Sequence, residues 1–189
     1  MVKNREDAAQ TAENQSKASV GICQLWTRMV YGSVSVGDVD GDGDADAVDG
    51  WKSEPKDAQH TNRKPPRGVP VAFSGGSRGF GHRAVSLGGG KIRSTDMSSS
   101  GYSPGNIGTT TISQIERSMN VTYLGWSETI GGVKIPLAPK PTEPKPKTSR
   151  GVQVDVAIAA LKKATTNDPV RAKLKKQALD ALLKMPFIR

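Results

Sequence analysis

An α+β architecture is predicted by three features of the sequence. An apolar run with helical spacing begins at Ile22. Short apolar or alternating runs, separated by glycine and proline, fill residues 69–135. Past a proline-rich break at residues 136–150, helical spacing returns. The expectation is one domain of a helix packed on a small antiparallel sheet, plus a C-terminal helical hairpin. At 189 residues the chain has room for one such domain with appendages. Its predicted parts are an N-terminal arm (1–17), the α+β domain (18–135), a linker (136–150) and a basic helical hairpin (151–189).

Residues 2–17 are polar with interspersed alanines, and read as a short, loosely packed helix or an arm. From Ile22 onward, Leu25, Trp26, Met29 and Val30 follow on one helical face, with Cys23 in the first turn. Trp26 is expected in the core. Residues 38–49 then carry aspartate at 38, 40, 42, 44 and 46, with Gly43 at the sixth position and Asp49 at the twelfth. These are the positions whose oxygens converge on calcium in an EF-hand-type loop, and a glycine at the sixth permits its sharp turn. Asp38, Asp40, Asp42, Asp44, Asp46 and Asp49 are therefore the candidate ligands of a structural calcium ion, which would relieve their mutual repulsion. The alternative is an acidic, solvated loop. Two departures stand out: aspartate rather than glutamate at the twelfth position, and Ala45 where a larger apolar residue is usual.

A helix is predicted from Asp46 to Trp51. His60 falls in a polar loop, and Pro65 and Pro66 impose an extended approach to a strand at residues 69–73. The glycine-rich residues 74–81 lack the lysine of a phosphate-binding loop and read as a strand connection. His82 opens the next strand, Gly88, Gly89 and Gly90 turn it, and a return strand runs through Ile92 and Ser94. Residues 97–108 read as a Ser/Gly loop in which Tyr102 lines a cleft. Thr111 or Ser113 caps a helix with Ile112, Ile115 and Met119 inward, and strands at Tyr123–Trp126 and Val133–Ile135 close the domain. Alternating prolines in the linker favour an extended spacer. Beyond it, Val154, Ile158 and Leu161 form one stripe and Val170, Leu174, Ala178, Leu182 and Met185 a second. Asp168 and Pro169 start the second helix. Two such helices bury little apolar area alone, so a docking role is expected.

The formal net charge is +9, which favours polyanionic partners, and the basic surplus lies mostly in the C-terminal region. Aromatic residues are not interleaved with the basic ones, so nucleic-acid recognition is not expected beyond phosphate contacts. No apolar run reaches the roughly 18 residues of a membrane span. The charged start has no apolar stretch of a secretory signal. With one cysteine, no intrachain disulfide is possible.

That single cysteine and the histidine at residue 82 carry the candidate chemistry. A thiol attacks a carbonyl as thiolate, and a helix N-terminus and an imidazolium both lower its pKa. His82 would take the Cys23 proton and return it to a leaving amine. A third polar group should hold the imidazole. On the strand after the glycine turn, Ile92, Ser94 and Asp96 share one face, which leaves Ser94 and Asp96 as alternatives. The backbone N–H of Cys23 is a candidate oxyanion donor. A lone cysteine is as often a small buried hydrophobe.

This arrangement resembles the NlpC-type and CHAP-type peptidoglycan hydrolases, small papain-like enzymes of bacteria and their phages. The resemblance rests on Cys23 at a helix start, the entry from Pro65 to Phe73 into a strand, Gly81 and His82 opening the next strand, and the Gly88–Gly90 turn. It covers residues 18–136. By position Ser94 matches the family's third catalytic residue, where His, Asn, Gln, Glu or Asp is usual. The run from Tyr123 to Trp126 is similar to wall hydrolase domains of actinobacterial phages, and some CHAP-type domains also carry a calcium loop behind the cysteine helix. The resemblance implies a papain-like domain that cleaves an amide in peptidoglycan as a cysteine endopeptidase or amidase. Implied partners are peptidoglycan and anionic wall polymers, with other virion proteins docking on the hairpin. The protein would be made in a host cytoplasm and act at the wall, after lytic release or within a virion. Two other readings stay open: a phage virion or tail protein that keeps the hydrolase fold with weak or no activity, and a calcium-dependent wall-binding module.

Overall fold

Glycine-bounded runs of β-branched and small residues pair into one antiparallel sheet, and the helices cover its two faces. In the computed structural model, residues 1–33, 36–138 and 169–183 are described. The chain divides into two units, residues 1–138 and 139–189. The first contains helices α1 (Arg5–Glu13), α2 (Cys23–Tyr31) and α3 (Ala47–Lys52). Strands β1 (Gln59–His60), β2 (Pro70–Gly75), β3 (His82–Gly88), β4 (Lys91–Ser98) and β5 (Gly101–Thr110) follow. Helix α4 (Ile112–Met119) and strands β6 (Val121–Ser127), β7 (Thr129–Ile130) and β8 (Val133–Lys134) complete it. The main sheet has six strands in the order β1-β6-β2-β3-β4-β5, and β7 pairs with β8 separately. Every neighbouring pair is antiparallel. The expected α+β class is what the chain adopts.

Strand alternation sends apolar side chains to two cores. Val71, Phe73, Ala84 and Ile92 pack with Ile112 and Ile115 of α4 on one face. Val85 and Ile107 pack with Trp26, Val30 and Tyr31 of α2 and Ala8 and Ala12 of α1 on the other. Trp26 is 3% exposed and so belongs to the core as expected, whereas Leu25 and Met29 on the same helix are exposed.

Three segments depart from the sequence reading. The N-terminal segment is the short helix of the two alternatives and not the arm, and it packs tightly and not loosely: Ala8, Ala9 and Ala12 are fully buried. Arg67 binds Glu6 and Glu13 at 2.8 Å each, and Arg93 donates to the carbonyl of Ala12 at 3.2 Å. Small alanines allow this close approach, and arginines distant in sequence supply the attraction. Residues 97–108 are mostly strand, because the paired backbone of β4 recruits a segment whose side chains are poor strand formers. Pro104 is tolerated there because β5 is an edge strand. His60 lies in edge strand β1, stacked on Trp126 with ring centroids 4.0 Å apart, and not in a loop.

In the second unit, helix α5 spans Pro169–Leu183. Leu174 and Ala178 of its expected apolar stripe are exposed. The first helix of the expected hairpin and nearly all of the linker lie outside the described residues. Among the described residues, no helix is long and apolar enough to cross a membrane.

Candidate functional site

One end of the main sheet is where strand termini, a helix start and three loops meet around a cavity of about 760 Å³. Cys23 from the first turn of α2, His82 from the first position of β3 and Asp96 from β4 all line it, as do Tyr102 and residues 44–47. The sequence brings His82 here through Gly81, whose φ is +68°. A Cβ on Gly81 would lie 2.3 Å from the Phe73 carbonyl oxygen and 2.9 Å from Val48, so only glycine fits the turn.

His82 is 4% exposed, and its Nε2 lies 2.7 Å from Ser94 Oγ. The same hydroxyl donates its one proton to the Thr95 carbonyl at 3.1 Å. With the hydroxyl proton on that carbonyl, Ser94 Oγ would accept from Nε2–H and Nδ1 would keep the lone pair. Of the two alternatives for the third position, Ser94 touches the imidazole. Asp96 is engaged elsewhere: its carboxylate accepts from the N–H of Gly21 at 3.0 Å and of Gly105 at 2.8 Å. It sits at a bulge in β4 with φ +55°. Asp96 thus ties the segment before α2 to the middle of β5.

Burial pushes the half-buried Cys23 thiol above its ordinary value, and the nearby Asp96 carboxylate adds to this. The backbone N–H groups of Arg83 and Gln24 and the Arg83 charge act the other way. Burial also lowers the His82 imidazole to about 4, with Asp96 opposing. At neutral pH both groups are neutral, and no hydrogen bond joins them. The N-terminus of α2 has neither a capping side-chain hydrogen bond nor an acidic residue in its first turn.

Behind the pair lies a buried ion pair that sequence pattern did not reveal. Arg83 and Glu54 meet at 3.0 Å with side chains 1% and 0% exposed. Glu54 also accepts from the N–H groups of Gly131 and Gly132 at 3.0 Å each. Gly50 makes room for Arg83 and the buried Gln24 amide, since a Cβ there would come within 2.6 Å of both. The one available signal was Arg83 inside an otherwise apolar strand, a position that demands a partner.

The acidic loop gathers four of its six candidates. Oxygens of Asp38, Asp40, Asp42 and Asp49 lie within 4.8 Å of one another, so the cluster could hold a metal ion. Asp49 is fully buried and accepts from the N–H groups of Val39, Asp40 and Asp46. Asp46 caps α3 instead, accepting from Val48 and Asp49, and Asp44 lines the cavity. Lys52 reaches Asp40 at 2.6 Å and holds its carboxyl below the usual range. The N–H of Ala47 donates to the Phe80 carbonyl at 3.2 Å, linking α3 to the turn before His82.

Compared with family models, curated proteins and solved structures, the chain finds no match in any of the three.

Proposed function

We propose that the first unit is a papain-like cysteine hydrolase domain that cleaves an amide bond in peptidoglycan, with Cys23 as nucleophile and His82 as base and acid. The observation that carries this reading is the shared cavity of Cys23 and His82, with Ser94 Oγ 2.7 Å from the imidazole Nε2. The substrate class comes from the resemblance of residues 18–136 to NlpC-type and CHAP-type hydrolases.

The thiol proton passes to Nδ1 as sulfur attacks the carbonyl carbon, and the oxyanion is met by the N–H of Cys23 at the start of α2. Collapse of the tetrahedral intermediate breaks the C–N bond, and Nδ1–H gives its proton to the departing amine. Water, deprotonated by Nδ1, then hydrolyses the thioester and restores the thiol. Because thiol and imidazole are neutral and unbonded at rest, proton transfer needs the two to draw together on substrate binding, as catalytic hydrogen bonds often do. Calcium held by Asp38, Asp40, Asp42 and Asp49 supplies a brace for the cavity wall and no chemistry. The basic C-terminal region docks on anionic wall polymers or on another virion protein. The protein acts at the wall, after lytic release or from within a virion.

Zymography on actinobacterial cell wall tests this. Clearing by the wild-type chain and none by Cys23→Ala is expected, and equal clearing by the two removes Cys23 from the mechanism. The neutral, unbonded pair favours one other reading, a virion protein that keeps the fold with weak chemistry. It predicts wall binding with no clearing by either protein.

A further inference from the structure

We propose that Arg78 is the recognition point for a carboxylate on the substrate that occupies the Cys23–His82 cavity. The inference rests on the hydrolase reading for the identity of that substrate. Its geometric basis is independent. Arg78 lies on the glycine-rich turn between β2 and β3 and lines the same cavity as Cys23 and His82. Its guanidinium stacks on the Phe80 ring at 4.4 Å from the centroid, which holds a long side chain in place. Gly75, Gly76, Gly79 and Gly81 all have positive φ, so a sharply folded turn presents it.

Apart from its stacking on Phe80, the Arg78 charge has no carboxylate partner among the described residues. The side chain is exposed. The carboxylates in the same wall are not its partners. Asp46 and Asp96 are spent on backbone N–H groups, and Asp44 forms no ion pair with it. Two other arginines of the folded surface are paired, Arg63 with Glu116 at 2.6 Å and Arg67 with Glu6 and Glu13; Arg117 is exposed and unpaired like Arg78, but it does not line the cavity. A fixed guanidinium presents a planar fork of donors that matches a carboxylate, and stacking on Phe80 leaves its N–H edges open. The ligand class is therefore a peptide with a free carboxylate placed beyond the scissile amide.

The test measures binding by the full chain carrying Cys23→Ala, titrated calorimetrically with two stem peptides of peptidoglycan. The pair is identical except that one bears a free side carboxylate and the other its carboxamide. With Arg78 present, the carboxylate peptide should bind roughly tenfold to a hundredfold tighter. Adding Arg78→Gln should bring the ratio near one with carboxamide binding unchanged, and Arg78→Lys should keep part of the preference. Equal binding of the two peptides with Arg78 present, or an unaltered preference in Arg78→Gln, overturns the proposal, as does failure of both to bind. The outcome is separable from that of the hydrolase reading. Carboxylate preference without Cys23-dependent turnover keeps Arg78 and removes hydrolysis; Cys23-dependent turnover without preference does the reverse.

Discussion

In the proposed hydrolysis Ser94 would orient the imidazole, a task for which a hydroxyl is poorly suited unless its rotor is fixed. The Thr95 carbonyl, 3.1 Å from Ser94 Oγ, can take the hydroxyl proton, so that the oxygen would present a lone pair to His82 Nε2 and Nδ1 would be the base nitrogen. Ser94→Ala should lower kcat about tenfold with little change in KM, less than the roughly 10²–10⁴-fold contributed by an acid–base group itself, because Ser94 only orients the imidazole. The same kinetics carry a pH test. The free-enzyme imidazole must be unprotonated to act, and burial depresses it to about 4, so kcat/KM should have its acid limb near pH 4. A limb near the ordinary histidine value of about 6.5 would contradict the buried, neutral imidazole. Stability follows the same sign. The unfolded imidazole gains its proton first, so the stability tied to neutral His82 is complete above about 6.5. It is lost as pH falls from there toward 4, by about 3 kcal/mol. His82→Gln should therefore lose less stability than wild type over that interval, as read by denaturant midpoints.

Among the elements, the acidic loop was the most legible, because ligand spacing is written directly in consecutive residues. Its oxygens gather as that spacing predicts for Asp38, Asp40, Asp42 and Asp49. The spacing did not separate ligands from caps, since Asp46 serves the first turn of α3. Helix α4 with its Thr111 cap, and the β3–β4 hairpin over Gly88–Gly90, were readable for the same local reason. Strand β5 and the packing of α1 were not, because each depends on partners far along the chain, β4 in one case and Arg67 and Arg93 in the other. Calcium in excess should raise the melting temperature by several degrees through mass action, and Asp40→Ala with Asp42→Ala should abolish the rise. No response in the wild type would leave only an acidic loop. Asp49→Ala should destabilise even without calcium, because three backbone N–H groups lose their acceptor. For the buried ion pair, Glu54→Gln should cost about 3–5 kcal/mol in denaturant unfolding, because it leaves Arg83 charged and unpaired.

At the scale of the whole molecule, the cavity is a product of topology. Cys23, the turn carrying Arg78 into His82, and Asp96 come from three separate segments that meet at one end of the sheet. Residue types could nominate Cys23 and His82 in advance. Arg83 inside an apolar strand signalled only that a partner was needed; the fold alone identifies that partner as Glu54 and brings in Arg78. The measurement that bears most directly on Cys23–His82 chemistry uses the fact that the chain has one cysteine. Iodoacetamide is reacted with the protein to graded extents, the alkylated fraction of Cys23 is counted by mass spectrometry, and the release of new amino termini from purified peptidoglycan is followed. The account predicts turnover that falls in proportion to the alkylated fraction and reaches zero when Cys23 is fully modified. Turnover that persists on the fully alkylated protein, or an unmodified protein that releases nothing, would contradict it.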